Sequence, residues 1–173
     1  TPLLLTSFLK RAERYFPHKE IISRTGPETI HRFTYGEYAK RTRKLAAALT
    51  GLGMTKGTKV GTFAWNTHRH LEAYFAIPCS GAILHTINIR LAPEHIVYIV
   101  NHAEDEILLI DGDLFPLVEP ALPLLTTVKH VIVMSDSKEA PVSNFPSVHS
   151  YEALLDAADE HFDFPDDLDE NLP

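Results

Sequence analysis

The chain has 173 residues, of which 45% are apolar and 23% charged, a composition that excludes overall disorder and allows one sizeable hydrophobic core. Cys79 is its single cysteine, so no disulfide can form within the chain, and a reducing compartment is expected. No apolar stretch has the length of a transmembrane helix.

The net charge of −7 is concentrated near the C-terminus. Residues 156–173 contain eight acidic residues and no Lys or Arg, which leaves fifteen acidic against sixteen basic residues before them, a difference of +1. Neither part has the basic stripe that nucleic-acid binding requires. The charge pattern therefore excludes a nucleic-acid partner and distinguishes an acidic segment, of which residues 163–173 are expected to be a linker or a partly ordered end.

Apolar residues at helical spacing predict an N-terminal helix over residues 5–16, with Thr6 as its cap and Pro17 as its stop. A helix packed on its own domain and a helix lying on a membrane surface both fit this pattern. The stretches EIIS and HRFTY then predict two short strands joined by a turn at residues 26–27.

A capping box, T-x-x-E, predicts the start of the next helix at Thr34 and Glu37. Its apolar face continues to a stop at Gly51 and Gly53. The basic residues of this helix lie mostly on the opposite side, which is predicted to be a solvated face.

Strands and helices alternate from residue 59 onward. KVGTFAW, AILHTI, EILLID and HVIVM predict four buried strands, with helical segments between them; Asn66 is expected to cap the first helix, and Pro78 to kink or shorten it. A loop and a last helix over residues 151–162, capped by Ser150, follow. The predicted fold is therefore α/β: an open, mostly parallel sheet flanked by helices, after a short N-terminal β-hairpin.

Ligands bind open parallel sheets beyond the carboxyl ends of the strands, and three of these ends carry polar residues. They are residues 65–66, 86–90 and 111–112, which share one edge if the strands are parallel. Arg90 is the strongest candidate there, because a guanidinium group suits phosphate. A salt bridge from Arg90 to Glu94 is an open alternative.

Other patterns predict structure rather than a site. GLGMTKG follows a helix and precedes a strand, the reverse of a nucleotide-binding fingerprint, and SRTGPET is predicted to be a turn. His68 and Glu72 share a helix face, as do His95 and His102, but neither pair has a third ligand at firm spacing, so no metal site is predicted. Cys79 is expected to be inert and packed in the core.

Three stretches of the chain resemble the adenylate-forming superfamily, and within it the fatty-acyl-CoA synthetases: FTYGEYAKRTRKLAAALTGLGMTKGTKV, HLEAYFAIPCSGAILHTIN and NHAEDEILLID. They occur in the order typical of the N-terminal part of those enzymes. The resemblance implies that residues 1–155 are the first α/β part of the large N-terminal domain. Residues 156–173 would then be an acidic segment leading to a phosphate-binding loop.

The resemblance implies a two-step ligase. ATP and a fatty acid or related carboxylic acid would form an acyl-adenylate, Mg²⁺ would screen the phosphates, and the thiol of coenzyme A would then displace AMP. The phosphate loop that ends in Pro-Lys-Gly in this family is not in the chain. The 173 residues are therefore expected to be an N-terminal fragment that is inactive alone, has no catalytic residue or metal ligand of its own, and needs the remainder of its chain.

One functional residue follows from the resemblance. Related ligases use the arginine of an Asn-Pro-Arg-Leu stretch to contact a phosphate of coenzyme A, and here the stretch reads Asn88-Ile89-Arg90-Leu91. Arg90 is therefore the expected coenzyme A ligand. Ile89 in place of proline, and Ala92 where a capping Ser or Thr is usual, depart from the family pattern.

Two alternatives remain open. The 173 residues could be a complete, non-catalytic α/β module for binding or assembly, or the N-terminal part of an aryl-CoA ligase or a luciferase-type adenylating enzyme. The acyl pocket lies downstream in this family, so the acid is not determined. A cytoplasmic location is expected, and peripheral contact with a membrane is left open. The resemblance to the family implies a homodimer.

Overall fold

The computed structural model describes residues 3–171, which divide into two compact units. The first unit contains the described residues up to Gly57, together with residues 66–82 and 158–171. The second contains residues 58–65 and 83–157.

The first unit is built from helices and a β-hairpin: α1 Leu5–Tyr15, β1 Glu20–Arg24, β2 Ile30–Thr34, α2 Tyr35–Gly51 and α3 His68–Cys79. The hairpin is antiparallel, as predicted. The predicted capping box is present at α2, where Thr34 Oγ1 accepts a hydrogen bond from Glu37 N at 3.2 Å and Glu37 Oε2 accepts one from Thr34 N at 2.7 Å. Its core includes the buried residues Leu9, Phe33, Tyr38 and Ala39.

The prediction that Thr6 caps α1 is wrong. The helix begins after Leu4, whose carbonyl accepts a hydrogen bond from Ser7 N at 3.0 Å. Thr6 lies inside the first turn and is buried. Packing of this turn against the unit therefore decides the start of α1, and no side-chain cap forms.

The prediction that Asn66 caps α3 is also wrong, because the N-cap residue is Thr67. Ser23 in β1 satisfies the first N–H of the helix: its Oγ accepts from His68 N at 2.8 Å. A residue distant in sequence thus satisfies the start of the helix, which local capping rules do not anticipate. α3 continues to Cys79, with Pro78 in its last turn.

The acidic segment is not a free linker in the described residues. Phe164 packs against the core of the first unit, Lys40 in α2 pairs with Glu160 at 2.5 Å, and Lys56 pairs with Asp167 at 2.5 Å. Part of the basic face of α2, predicted to be solvated, therefore meets this segment. The last helix is shorter than predicted, since α6 spans only Tyr151–Ala157.

The second unit is a five-stranded parallel sheet in the order β4-β3-β5-β6-β7. Its strands are β3 Lys59–Phe63, β4 Ile83–Thr86, β5 Ile107–Asp111, β6 His130–Met134 and β7 Val148–Ser150. Its helical elements are α4 Pro93–Ala103, α5 Phe115–Val118, a 3₁₀ helix at Glu119–Leu124, and α6. The predicted fold class is therefore confirmed, including a helical segment between β5 and β6.

The fifth strand, β7, is missing from the prediction, which placed a loop over residues 135–147 and Ser150 as a helix cap. Val131 N donates to Ser147 O at 2.9 Å, and β7 pairs with β6 from Val148 onward. Ser150 Oγ accepts from Ala153 N at 3.3 Å, consistent with its predicted capping role. The core of this unit consists of apolar residues from the strands, α4, α5 and the 3₁₀ helix, including Phe63, Ile96, Val100, Leu108, Phe115 and Val131.

A buried carboxylate connects the edge strand β4 to the sheet. Asp105, which precedes β5, has no exposed surface, and its Oδ2 lies 2.7 Å from Nδ1 of His85 in β4. Gly61 in β3 pairs in register with His85, and a Cβ added at Gly61 would lie 2.9 Å from Asp105 Oδ2. A side chain at Gly61 would therefore crowd the hydrogen bond beneath it.

Burial raises the pKa of Asp105, while the hydrogen bond and charge of His85 act in the opposite direction. Stability from this raised pKa is complete below the ordinary carboxyl value and is lost as the pH rises through the folded value. His85 therefore limits the cost of a buried carboxylate at neutral pH.

His85→Ala is expected to lower the free energy of unfolding by about 3 kcal/mol at neutral pH, because it leaves a buried carboxylate without its partner. The loss should be smaller near pH 4, at which a larger share of Asp105 is protonated. Urea unfolding followed by circular dichroism measures both values.

Lys129→Ala is the matched control, because Lys129 and Glu106 form an exposed pair at 2.5 Å whose removal should cost less than about 1 kcal/mol. A loss from His85→Ala that is no larger than the control, or that is equal at the two pH values, would contradict the role assigned to the buried pair.

Candidate functional site

Adjacent parallel strands bring three polar strand ends to one edge of the second unit. β3 lies between β4 and β5, and all three run in the same direction. The ends of these strands carry Trp65, residues 86–90 and Asp111, as the sequence predicted. We call this set, together with Asp113, the strand-end site.

The loop after β4 directs Arg90 outward while its apolar neighbours are held in the core. Ile87 is buried, and Ile89 and Leu91 pack against the core of the second unit. Asn88 Oδ1 accepts from Arg90 N at 3.0 Å and forms an Asx turn. The turn explains why an asparagine follows the strand: it supports the backbone that carries Arg90.

The Arg90 side chain is exposed and has no hydrogen-bond or ion-pair partner within residues 3–171. The alternative salt bridge to Glu94 is absent from this part of the chain. α4 starts at Pro93 after Ala92, which has no capping side chain. The guanidinium is therefore available to an anion.

Trp65 occupies the centre of the strand-end site, at the end of β3. Its backbone N–H donates to Asp111 Oδ2 at 2.6 Å, and its indole Nε1 donates to Asp113 Oδ2 at 2.9 Å. Sequence reasoning named Trp65 and Asp111 as strand ends but missed Asp113. The available signal was a second carboxylate two residues past the strand, within reach of a donor on the neighbouring strand.

A separate cavity of about 330 Å³ in the first unit lies between β1 and the start of α3. Arg24 is the cationic residue in its lining, and its guanidinium donates to the backbone carbonyls of Gly26 and Pro27. This arginine stabilises the hairpin turn. The cavity therefore has a weaker claim to an anionic ligand than the strand-end site.

The remaining sequence candidates have structural partners. Glu72 is completely buried and pairs with Arg41 at 2.7 Å, and burial raises the pKa of Cys79 to about 12. The glycine-rich segment is a turn with Gly53 and Gly57 at positive φ of 96° and 79°. Within residues 3–171, no three His, Cys, Asp or Glu side chains gather in a way that could hold a metal ion.

A cluster of three polar side chains at the β6–β7 edge was not anticipated from sequence. His130 Nδ1 lies 2.7 Å from Ser147 Oγ, which lies 2.9 Å from His149 Nε2. Burial and, to a lesser extent, the charge of His130 lower the pKa of His149. Neutral His149 is therefore favoured in the folded chain.

The model of the AMP-binding enzyme family matches residues 8–168. The chain is 41% identical over 164 residues to a 3-methylmercaptopropionyl-CoA ligase of Ruegeria lacuscaerulensis, covering 95% of this chain and 30% of that protein. It is 49% identical over 134 residues to a long-chain-fatty-acid–CoA ligase of Thermus thermophilus, covering 78% of this chain and 25% of the relative. The chain thus spans less than a third of the length of these relatives.

The fold is also similar to that of a long-chain-fatty-acid–CoA ligase from Archaeoglobus fulgidus. The TM-score is 0.80 at 21% identity, covering 95% of this chain and 32% of that structure. No helix in the described part of the chain is both long and apolar enough to cross a membrane.

The His149 cluster predicts a pH dependence. A lowered folded pKa contributes stability above the unfolded value near 6.5 that is lost as the pH falls toward the folded value. The drop in unfolding free energy between about pH 7.5 and about pH 5.5 should therefore be smaller in His149→Gln than in the unmodified chain. Urea titrations at both pH values measure the drop.

His95→Gln, at an exposed position on α4, is the control and should leave this drop unchanged. An equal drop in His149→Gln and the unmodified chain would show that the β6–β7 edge does not respond to the protonation of His149.

Proposed function

The chain belongs to the family of AMP-binding enzymes, and from this membership we propose that the protein containing it is an ATP-dependent acid–CoA ligase. In this proposal ATP activates a carboxylic acid as an acyl-adenylate with release of pyrophosphate. The thiol of coenzyme A then attacks the acyl carbon, and AMP leaves. The observation that carries the proposal is the family match over residues 8–168, with CoA ligases as relatives at 41% and 49% identity.

We propose a fatty acid as the acid substrate, supported by the 49% identity to the Thermus thermophilus protein. The 3-methylmercaptopropionyl-CoA ligase covers more of the chain at lower identity and supports a short, sulfur-containing acid instead. A panel that includes long-chain, medium-chain, 3-methylmercaptopropionic and aromatic acids discriminates these possibilities in the full-length enzyme.

The described residues fit coenzyme A better than they fit Mg²⁺. In residues 3–171 no three His, Cys, Asp or Glu side chains gather in a way that could hold a metal ion, so no residue of this part of the chain is proposed as an Mg²⁺ ligand. Arg90, by contrast, is an exposed cation beyond a strand end. We therefore assign a coenzyme A phosphate to Arg90 and the adenylation chemistry to residues outside this part of the chain.

The proposal extends to the domain organisation, location and oligomeric state of the full-length enzyme. Residues 1–155 are the first α/β part of the large N-terminal domain, and residues 156–173 lead to a phosphate-binding loop. We also propose that the enzyme is cytoplasmic and forms a homodimer. Light scattering of the full-length enzyme measures its oligomeric state. The 173-residue chain alone should form no acyl-adenylate.

Arg90→Ala in the full-length enzyme should raise the KM for coenzyme A about tenfold, because a charge-assisted phosphate contact is worth about 1.5–3 kcal/mol. Adenylate formation, measured by pyrophosphate exchange without coenzyme A, should remain near the unmodified rate. Arg90→Lys keeps the charge but loses the planar fork, and should give an intermediate KM.

Arg32→Ala is the matched control, since Arg32 is an exposed arginine of the hairpin that pairs with Glu20 at 3.1 Å. It should alter neither half-reaction. An unchanged KM for coenzyme A in Arg90→Ala would reject the role of Arg90, whereas the absence of thioester formation with every acid of the panel would reject the ligase function.

A further inference from the structure

We infer that Trp65 is a stacking surface for the purine ring of an adenosine phosphate whose phosphate is held by Arg90. The inference rests on the proposed ligase function only for the identity of the ligand, since both ATP and coenzyme A contain adenosine phosphate. It assigns to the strand-end site an aromatic contact in addition to the cation.

The indole of Trp65 is both exposed and fixed. Its side chain is 46% exposed, although its Nε1 donates to Asp113 and its backbone N–H donates to Asp111. An indole at a protein surface normally directs its N–H to water. Here Asp113 accepts from the indole and Asp111 from the backbone of the same residue, so less side-chain entropy is lost when a planar ring stacks on it than for an indole without such a bond.

The order of the strands gives the site a polarity. Arg90 follows β4 on one side of Trp65, and Asp113 follows β5 on the other. A ligand with an anionic end and a neutral ring avoids repulsion by placing its phosphate on the β4 side. The exocyclic amine of adenine, a hydrogen-bond donor, suits the carboxylate side.

The energetics of the two contacts are large enough to measure. Stacking of a base on an aromatic side chain contributes about 1–3 kcal/mol, and a phosphate on arginine contributes a charge-assisted hydrogen bond. Single exposed aromatic residues are common on protein surfaces and need no ligand. Trp65 differs because its ring donates to Asp113 and because it follows β3, next to the strand that precedes Arg90, at the edge where parallel sheets bind ligands.

Trp65 is the single tryptophan of the 173-residue chain, so its fluorescence reports the contact directly. Adenosine 3′,5′-bisphosphate, coenzyme A and ATP are titrated separately, with ribose 5-phosphate as the probe without a base. Free N-acetyltryptophanamide corrects for absorption by the purine. We expect saturable quenching by at least one adenosine phosphate and none by ribose 5-phosphate.

Variants separate the two contacts. Arg90→Ala should weaken the affinity about tenfold while leaving the quenching at saturation unchanged, because the ring still stacks. Asp113→Ala should also weaken the affinity, since the indole loses its hydrogen-bond acceptor. Asp113→Asn should bind with nearly the unmodified affinity, because the amide keeps an acceptor oxygen. Arg32→Ala should match the unmodified chain.

No saturable quenching by any of the three nucleotides up to about 10 mM, a range that includes weak millimolar binding, would overturn the inference. Equal quenching by ribose 5-phosphate would overturn it as well. The unmodified chain supplies this result, so the test does not depend on whether a Trp65 variant folds.

The full-length enzyme identifies the source of the adenosine phosphate. Trp65→Ala should raise the KM for coenzyme A about tenfold if the ring belongs to coenzyme A, and the KM for ATP if it belongs to ATP. Trp65→Phe keeps a stacking face, so the same KM should lie between that of the unmodified enzyme and that of Trp65→Ala. An enzyme that forms thioester with both KM values unchanged in Trp65→Ala would overturn the inference and leave the proposed function intact.

Discussion

The hydrogen bond between Asp105 and His85 is the constraint on which the strand-end site depends. It connects the turn before β5 to the edge strand β4 by crossing the intervening strand β3 at Gly61. An edge strand of four residues has one neighbour in the sheet and little area of its own to bury. A completely buried carboxylate beneath it favours one register, because slippage by one residue would turn His85 to the other face.

The two ends of the sheet consequently have different roles. Asp105 precedes β5, so the buried carboxylate lies at the end of the sheet opposite the strand-end site, whereas its partner His85 lies within β4. Asp111, Trp65 and Arg90 follow their strands and are left to bind or to position one another. Separation of this kind allows the ligand side to carry an exposed cation and a half-exposed indole without weakening the register, because stability comes from elsewhere in the same sheet.

Local sequence patterns were sufficient to predict most of the helices and strands. They were insufficient where an element depends on contacts with residues distant in sequence. The strands β5 and β6 are nearly continuous apolar runs, and β3 has buried Val60 and Phe63 in a short segment between helical patterns. The capping box at Thr34 depends on residues three apart. All of these could therefore be predicted from sequence. β7 has only three residues, two of them polar, and forms because β6 offers an unpaired edge. The sequence around β7 gives no sign of this edge, because β6 lies more than ten residues earlier in the chain.

The start of α3 and the strand-end site likewise depend partly on residues that are distant in sequence. Ser23 satisfies the first N–H of α3 from 45 residues away, and Asp113 fixes the Trp65 indole from 48 residues away. Sequence reasoning could place Trp65, Arg90 and Asp111 on one edge, because parallel topology brings the ends of adjacent strands together. It could not specify which donor each carboxylate would accept from, since that depends on side-chain directions after the strands end.

The acidic segment illustrates how net charge can mislead when it is treated as a property of the surface. Eight acidic residues near the C-terminus suggest a solvated linker, yet Glu160 and Asp167 each pair with a lysine of the first unit. These exposed pairs contribute little individually. Phe164 contributes the apolar contact that fixes the segment, so the charges select where it lies while burial of one aromatic ring holds it there. Arg90 differs from those lysines in having no carboxylate partner in the described chain and in following a strand of the parallel sheet, at the edge where such sheets bind ligands.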